Sequence, residues 1–280
     1  MRKRALKEQF RLTPSYIALI LWLAFFGVAI GWIVVASLST TREIFTNTML
    51  ESGIRFSNYV NVWTTSNFPR YFLNSLFYAT LSCAGAIVIG APAAYVLGRK
   101  IFPGREVFVR SIVTIMAIPS IMIVIPMFSI MSQAGLTGNR FTLVIMYISS
   151  LTPFTTFFLT GFFATLPGEL EEAAKVDGYS NGGILWKIYM PLAQPGIITV
   201  TIFNFINIWN EYFISLVFGN RPNLRSLSLG LHAVIESMTV RGDWAGLFAA
   251  VVIVFLPTFI LYLLLSDKII AGVTGGAVKG

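Results

Sequence analysis

Long apolar runs alternate with short polar ones along the whole chain. Six runs reach membrane length, at about 15–38, 71–97, 107–131, 141–165, 195–218 and 244–265. A helix needs ~20 apolar residues to cross a bilayer core, and each run meets that length. The pattern predicts an all-α, polytopic membrane protein with six transmembrane helices spread over one transmembrane domain, 15–266. A basic, amphiphilic tail (1–14) precedes it and a glycine-rich tail (267–280) follows. The tail resembles the charged start of a signal peptide, yet the apolar run after it is too long for a signal core and is read as a retained first helix. Prolines at Pro92, Pro119, Pro126, Pro153, Pro195 and Pro257 fall within these runs or at their ends. They predict kinks, which membrane helices tolerate where neighbours re-satisfy the backbone.

One polar stretch breaks the alternation. Residues 164–194 read as a helix, a turn and a second helix of soluble character. Leu166-Pro167-Gly168 opens it, and proline suits a helix start because its missing N–H is not needed there. Glu169, Glu171 and Glu172 lie in the first turns, where negative charge complements the helix dipole. Glu171 and Lys175 are spaced to pair across one turn. Gly178 is placed to stop the helix in the left-handed conformation. Ser180 is placed to cap the second helix, over 181–190, which Pro191 limits. Leu170, Ala173 and Ala174 form a low apolar strip beside the charges, a profile that suits a groove on a partner as well as a solvated loop.

The run Glu172-Ala173-Ala174, then Asp177-Gly178, then Ile188 and Met190-Pro191, resembles the "EAA" loop of ABC-importer permeases. That family's pattern is Glu-Ala-Ala, three residues, Gly, nine residues, Ile, one residue, Leu, Pro. Every fixed position matches except Met190, a volume-conserving departure. The resemblance implies that Glu171, Glu172, Ala173, Ala174, Asp177, Gly178, Ile188 and Pro191 form a loop that docks on an ATPase subunit and transmits its closure to the membrane part. The tail from Ala271 to Gly280 also resembles that of the smaller permease subunit of maltose-type importers, where it reaches the ATPase interface. Trp209-Asn210-Glu211-Tyr212-Phe213 resembles the fifth-helix region of carbohydrate permeases.

Charge then orients the chain. The protein has 280 residues, 56% hydrophobic and 11% charged, a formal charge of +8 and a mean hydropathy of +0.76. Soluble domains carry about 25% charged residues. Thirteen of the 20 Lys and Arg fall in the N-tail, 98–110, 164–194 and the C-tail; the other seven fall in 39–70, 132–140 and 219–243. The richer side is the cytoplasmic one by the positive-inside rule. That places both termini and the acidic turn in the cytoplasm, and 219–243 outside.

Candidate chemistry is sparse. There is no Gly-x-x-x-x-Gly-Lys-Ser/Thr phosphate loop and no Ser/His/Asp set. His232 and Cys83 are single, so no metal site, cofactor or internal disulfide is expected, and His232 reads as an exposed loop residue. The fifth run is polar for its place: Asn204, Asn207 and Glu211 share a helix face, with Asn210 beside them. The fourth carries Ser149, Thr152, Thr156 and Thr160 at helical spacing. Both stripes suit a path for a neutral polyol, and both suit helix packing.

The resemblance implies one half of the channel of a carbohydrate importer in the cytoplasmic (inner) membrane of a bacterium or archaeon. Its expected partners are a second permease, two ATP-binding subunits on 164–194 and the C-tail, and a solute-binding protein on 219–243. A permease for glycerol phosphate, an amino acid or a polyamine is the alternative, ahead of an ATP-independent secondary transporter. The topology is testable directly. Reporter fusions after Arg140 and within 220–243 report the outside, and fusions after Arg105 and at Lys279 report the cytoplasm. A cytoplasmic signal after Arg140 overturns the six-helix arrangement.

Overall fold

A computed structural model of the chain describes residues 2–277. Among those residues all regular secondary structure is helical, with no strand. Four continuous helices carry membrane-length apolar spans, at Leu12–Ser37, Phe68–Arg99, Arg140–Thr165 and Trp244–Lys268. They lie in α1 (Arg2–Ser37), α4 (Phe68–Arg99), α7 (Arg140–Thr165) and α14 (Trp244–Ala277). Two more apolar stretches are bent pairs: α5 (Arg105–Ala117) with α6 (Ser120–Gln133) at 96°, and the segment Asn181–Leu192 with α11 (Gln194–Asn210) at 76°. Four spans, or six with each bent pair as one, are thus present among the described residues. Six is consistent with the hydropathy pattern.

Three boundaries differ from the sequence expectation. The third run is broken at Ile118-Pro119. A residue before proline is pushed out of the helical region, and Ile118 is extended at ψ 123°. The fifth run stops at Asn210, where Glu211 is extended at ψ 126°, and resumes as the short α12 (Phe213–Phe218). The last run does not end near 265: its helix continues to Ala277. Of the glycine-rich tail, residues 278–280 lie outside the described residues, as does any side-chain contact of 269–277. The 219–243 stretch is mostly helix, α13 (Leu227–Arg241), on which His232 sits exposed with its ring stacked on Tyr212 at 5.8 Å.

The chain forms two compact units, one of 1–66 with 233–255 and one of 67–232 with 256–280. In the first, α2 (Thr41–Thr46) and α3 (Ser57–Thr65) follow α1. Ala36, Ile44 and Ala245 make a small core with Trp244 and Phe248 against it. Asn58 Nδ2 donates to the Ser37 and Ser39 carbonyls at 2.9 Å, which ties α3 to the end of α1. Glu43 completes a capping box with Thr40 and also accepts from the Ser52 amide at 2.6 Å. Residues 12–28 of α1 are all exposed, as a lipid-facing helix requires.

In the second unit, α4 packs along α7. Small residues let the two backbones approach: a Cβ on Gly98 would lie 2.9 Å from the Thr160 carbonyl oxygen. Two cores result. One joins Tyr78, Cys83, Val124, Leu143, Tyr147, Ile208 and Phe218. The other joins Ala94, Tyr95, Leu159, Phe163, Ala174, Ile184, Tyr189 and Val200.

Glu43 gives a pH prediction. Hydrogen bonds from Ser52 and the Thr40 amide lower its carboxyl from 4.5 to about 2. A depressed carboxylate stabilises the fold above its unfolded value, and that contribution is lost as pH falls through the folded one. The protection factors of the Thr40 and Ser52 amides, taken against intrinsic exchange at each pH, therefore fall as pH drops from about 4.5 to 2. In Glu43→Gln these protection factors are lower than in wild type above pH 4.5 and lose that dependence.

Candidate functional site

The acidic turn forms as its residues dictate. α8 (Glu169–Val176) holds Glu169, Glu171 and Glu172 in its first turn and Lys175 in its last. Gly178 has φ +80°, the left-handed conformation. The Tyr179 amide donates to the Ala174 carbonyl at 3.0 Å and the Gly178 amide to the Lys175 carbonyl at 3.1 Å. This pair of bonds is the Schellman stop, which closes the carbonyls a helix end leaves open. Ser180 Oγ accepts from the Gly183 amide at 3.2 Å and starts α9 (Asn181–Ile184). A π-helical turn, Leu185–Tyr189, and the short α10 (Met190–Leu192) complete the second arm.

The candidate residues on this turn divide between two faces. Glu172, Ala173, Asp177, Gly178 and Pro191 are exposed. Beside them Leu170, Val176, Tyr179 and Trp186 show 36%, 88%, 40% and 50% of their surface. Ala174 does not belong to that strip: it is buried against Ile184, Leu185 and Tyr189, and Ile188 packs on the same core. Glu171 also turns inward, one position before Glu172 and so about 100° round the helix from it. The spacing signal could not separate the two glutamates, because only the packing of α8 decides which faces in.

Glu171 is the centre of a charged cluster. Lys100 donates to one carboxylate oxygen, Lys175 Nζ lies 2.8 Å from the same oxygen, and Arg99 Nε lies 3.8 Å from the other. Lys100 also reaches Asn181 Oδ1 at 3.2 Å. Arg99 Nη1 donates to the Leu166 carbonyl at 2.9 Å, and its guanidinium lies over the Tyr189 ring. Burial disfavours both charges of the central pair, but the ion pairing outweighs it. The Glu171 carboxyl is held below the usual range by Lys100 and Lys175, and the Lys100 ammonium is raised by Glu171 and Tyr95.

A second candidate site lies within the same unit. A cavity of about 690 Å³ is bounded by the α5–α6 break, α7 and α11. Ser149, Asn204, Asn207 and Glu211 line it together, as do Ser120, Ser150, Phe154 and Phe203. Met116, Met127 and Met146 add a flexible apolar wall. Glu211 is the one ionisable residue among the lining. Asn204 Nδ2 donates to Thr155 Oγ1 at 2.8 Å, while its buried Oδ1 has no partner among the described residues.

Three candidates lie elsewhere. Asn210 Nδ2 bonds the Ile206 carbonyl on its own helix at 2.9 Å. Thr152 Oγ1 turns back to the Ile148 carbonyl at 2.7 Å. Thr156 is buried against Gly90 of α4. Glu211 has a structural duty besides lining the cavity. Its oxygens accept from the Ile214 amide at 2.7 Å and the Ser215 amide at 3.3 Å, which caps α12, and from Tyr147 Oη at 3.0 Å. Sequence reasoning missed Thr155, Ser150 and the wall from the α5–α6 break. Ile118-Pro119 was the available signal for that break.

A family model described as "Binding-protein-dependent transport system inner membrane component" matches residues 86–273. The chain is 32% identical over 266 residues to the diacetylchitobiose uptake system permease protein NgcG of Streptomyces coelicolor, covering 95% of this chain and 88% of that protein. It is 30% identical over 249 residues to the trehalose transport system permease protein SugB of Mycobacterium tuberculosis, covering 89% and 91%. A chain in the crystal structure of a bacterial ABC transporter involved in the import of the acidic polysaccharide alginate superposes with a TM-score of 0.76 at 26% identity, over 91% of this chain and 96% of that one.

The geometry separates cap from lining. Glu211→Ala removes the α12 cap, worth about 0.5–2 kcal/mol, and lowers the thermal midpoint of the purified protein. Asn207→Ala, exposed on the cavity wall, leaves that midpoint unchanged. Equal midpoints for the two variants would remove the capping role.

Proposed function

The chain belongs to the family of binding-protein-dependent transport system inner membrane components, and from that premise we propose that it forms half of the translocation path of an ATP-driven carbohydrate importer. As a permease it is a transport subunit, and ATP hydrolysis belongs to its ATPase partners. A second permease supplies the other half. Two ATP-binding subunits dock on 164–194 and the C-terminal tail from the cytoplasm, and a solute-binding protein delivers the sugar to 219–243 outside.

The observation that carries the substrate class is the lining of the cavity. It offers serine hydroxyls, two asparagines and aromatic faces, and no lysine or arginine. Such a wall suits hydroxyl-rich, uncharged ligands: amide and hydroxyl groups exchange hydrogen bonds with a polyol, and aromatic rings cover its apolar faces. A phosphate ester would leave its charge unpaired there, which is costly away from water. Relatives named for diacetylchitobiose and trehalose uptake support the same class.

The exposed face of α8 carries the coupling. Small Ala173 lets a partner groove approach, Glu172 offers a charge to it, and the Schellman stop at Gly178 holds the two helical arms at a fixed angle. Closure of the ATPases pushes this turn and switches the bundle from inward- to outward-facing, a rigid two-state change.

Uptake and ATPase assays on the reconstituted complex test the reading. Glu172→Ala removes one partner of a docking pair, a loss of about 2–5 kcal/mol when such a pair is buried. Gly178→Val forces a β-branched side chain into φ +80°. Both variants lose transport, and either shed the ATPase or leave it unresponsive to loaded binding protein, while sugar binding to the isolated binding protein is untouched. Normal uptake in both would remove the turn from the mechanism. Competition by glycerol phosphate but by no neutral sugar would overturn the substrate class.

A further inference from the structure

We infer that Glu171 is a positioning residue that locks the ATPase-facing turn to α4, and that α4 thereby carries one rigid displacement from the 220–227 segment to α8. The inference rests on the coupling role proposed for 164–194. Its basis is the pair of bonded ends on a single helix.

At one end of α4, three side chains hold the segment before α13. Asn74 Nδ2 donates to the Asn223 and Arg225 carbonyls, each at 3.0 Å. Tyr78 Oη donates to the Leu224 carbonyl at 2.8 Å, and the Leu227 amide donates to Ser75 Oγ at 2.7 Å. Asn74, Ser75 and Tyr78 are all buried, so these bonds are sheltered from water. A stretch that polarity alone marks as a loose loop is fixed residue by residue to the helix.

At the other end, Arg99 and Lys100 grip the turn. Lys100 bonds both arms at once, Glu171 on α8 and Asn181 at the start of α9. Arg99 closes the junction with α7 through the Leu166 carbonyl. Glu171 is the shared partner, and its side chain is only 9% exposed against three cations. Removing Glu171 leaves Arg99, 14% exposed, and Lys100, 26% exposed, without their shared carboxylate.

The two ends are separated by the rise of about 25 helical residues, roughly 37 Å. That length exceeds the ~30 Å of the hydrocarbon core. Pro92 lies inside α4 but does not break it; the helix is continuous from Phe68 to Arg99. A continuous helix bonded at both ends moves both attached segments together, whereas a turn held only by its connecting chain would lag behind.

The lock is tested in the complex with its ATPase and binding protein, and in the full chain alone. In Glu171→Gln and in Lys100→Met, stimulation of ATP hydrolysis by loaded binding protein falls at least about fivefold while the ATPase still co-purifies. The double variant loses less than the sum of the two single losses, because both changes cut the Glu171–Lys100 pair. Glu171→Asp keeps the charge and recovers most of the response. For the chain alone in nanodiscs, spin labels replace the exposed Val96 on α4 and Val176 on α8, with Cys83→Ala removing the single native thiol. The α4–α8 distance distribution is narrow in that chain and broadens in Glu171→Gln.

An unchanged distribution with stimulation within about twofold of wild type overturns the lock. Loss of ATPase co-purification in Glu171→Gln also overturns it, by making Glu171 a docking contact. Glu172→Ala separates the two readings. If it has no effect while Glu171→Gln broadens the distance, the coupling role fails and the lock stands. If it uncouples while Glu171→Gln is silent, the lock fails and the coupling role stands.

Discussion

Lipid offers no hydrogen bonds, so every amide and carbonyl released at a helix break has to be bonded from within the protein. This chain breaks its apolar helices at Pro119 and at Glu211, and each break solves the problem differently. Proline has no N–H to lose, and the flanking turns close on themselves, Ile118 onto the Ile115 carbonyl and Met122 onto the Pro119 carbonyl. At Glu211 a carboxylate takes two amides of the restarted helix. Both breaks border the same cavity. The breaks and the polar wall are one feature: the residues that mend the interrupted backbone, or lie next to it, are those that line the space.

That explains where sequence reasoning succeeded and where it fell short. The span count and the acidic turn were legible because they rest on local physics. Hydropathy marks the runs, Gly178 marks the left-handed stop, and Ser180 marks the next cap. The common face of Asn204, Asn207 and Glu211 was legible from helical period alone, and all three reach one cavity. The pairing partners were not. Asn204 meets Thr155 rather than Thr152 or Thr156, because the rotation of α7 against α11 is set by close packing on α4, through positions such as Gly90 and Gly98. The Glu211 cap was hidden for a related reason: a carboxylate is expected to serve a ligand or a partner helix until the backbone beside it is known to be broken.

Charge follows the same division of labour. Glu171 and Glu172 are neighbours in sequence and identical in chemistry. A rotation of about 100° sends one into a nest of three cations and the other into solvent. The first is committed to the chain's own architecture. The second is available to something else. The glutamates of α8 are therefore not one acidic patch, and treating them as interchangeable would assign an internal fastening to a partner.

The methionines of the cavity wall carry a different consequence. Met116, Met127 and Met146 bring unbranched, polarizable side chains that re-pack at little cost. On the path proposed above, a wall of that kind would adapt its contour to guests of unequal size and discriminate poorly on shape. Discrimination then falls to whatever delivers the cargo, and one channel could serve several cargoes if the delivery protein changed. The same softness is a liability under oxidative stress. Sulfoxidation would turn pliant apolar thioethers into polar groups, and through Met146, buried in a core of this unit, the damage would reach the packing as well as the cavity wall.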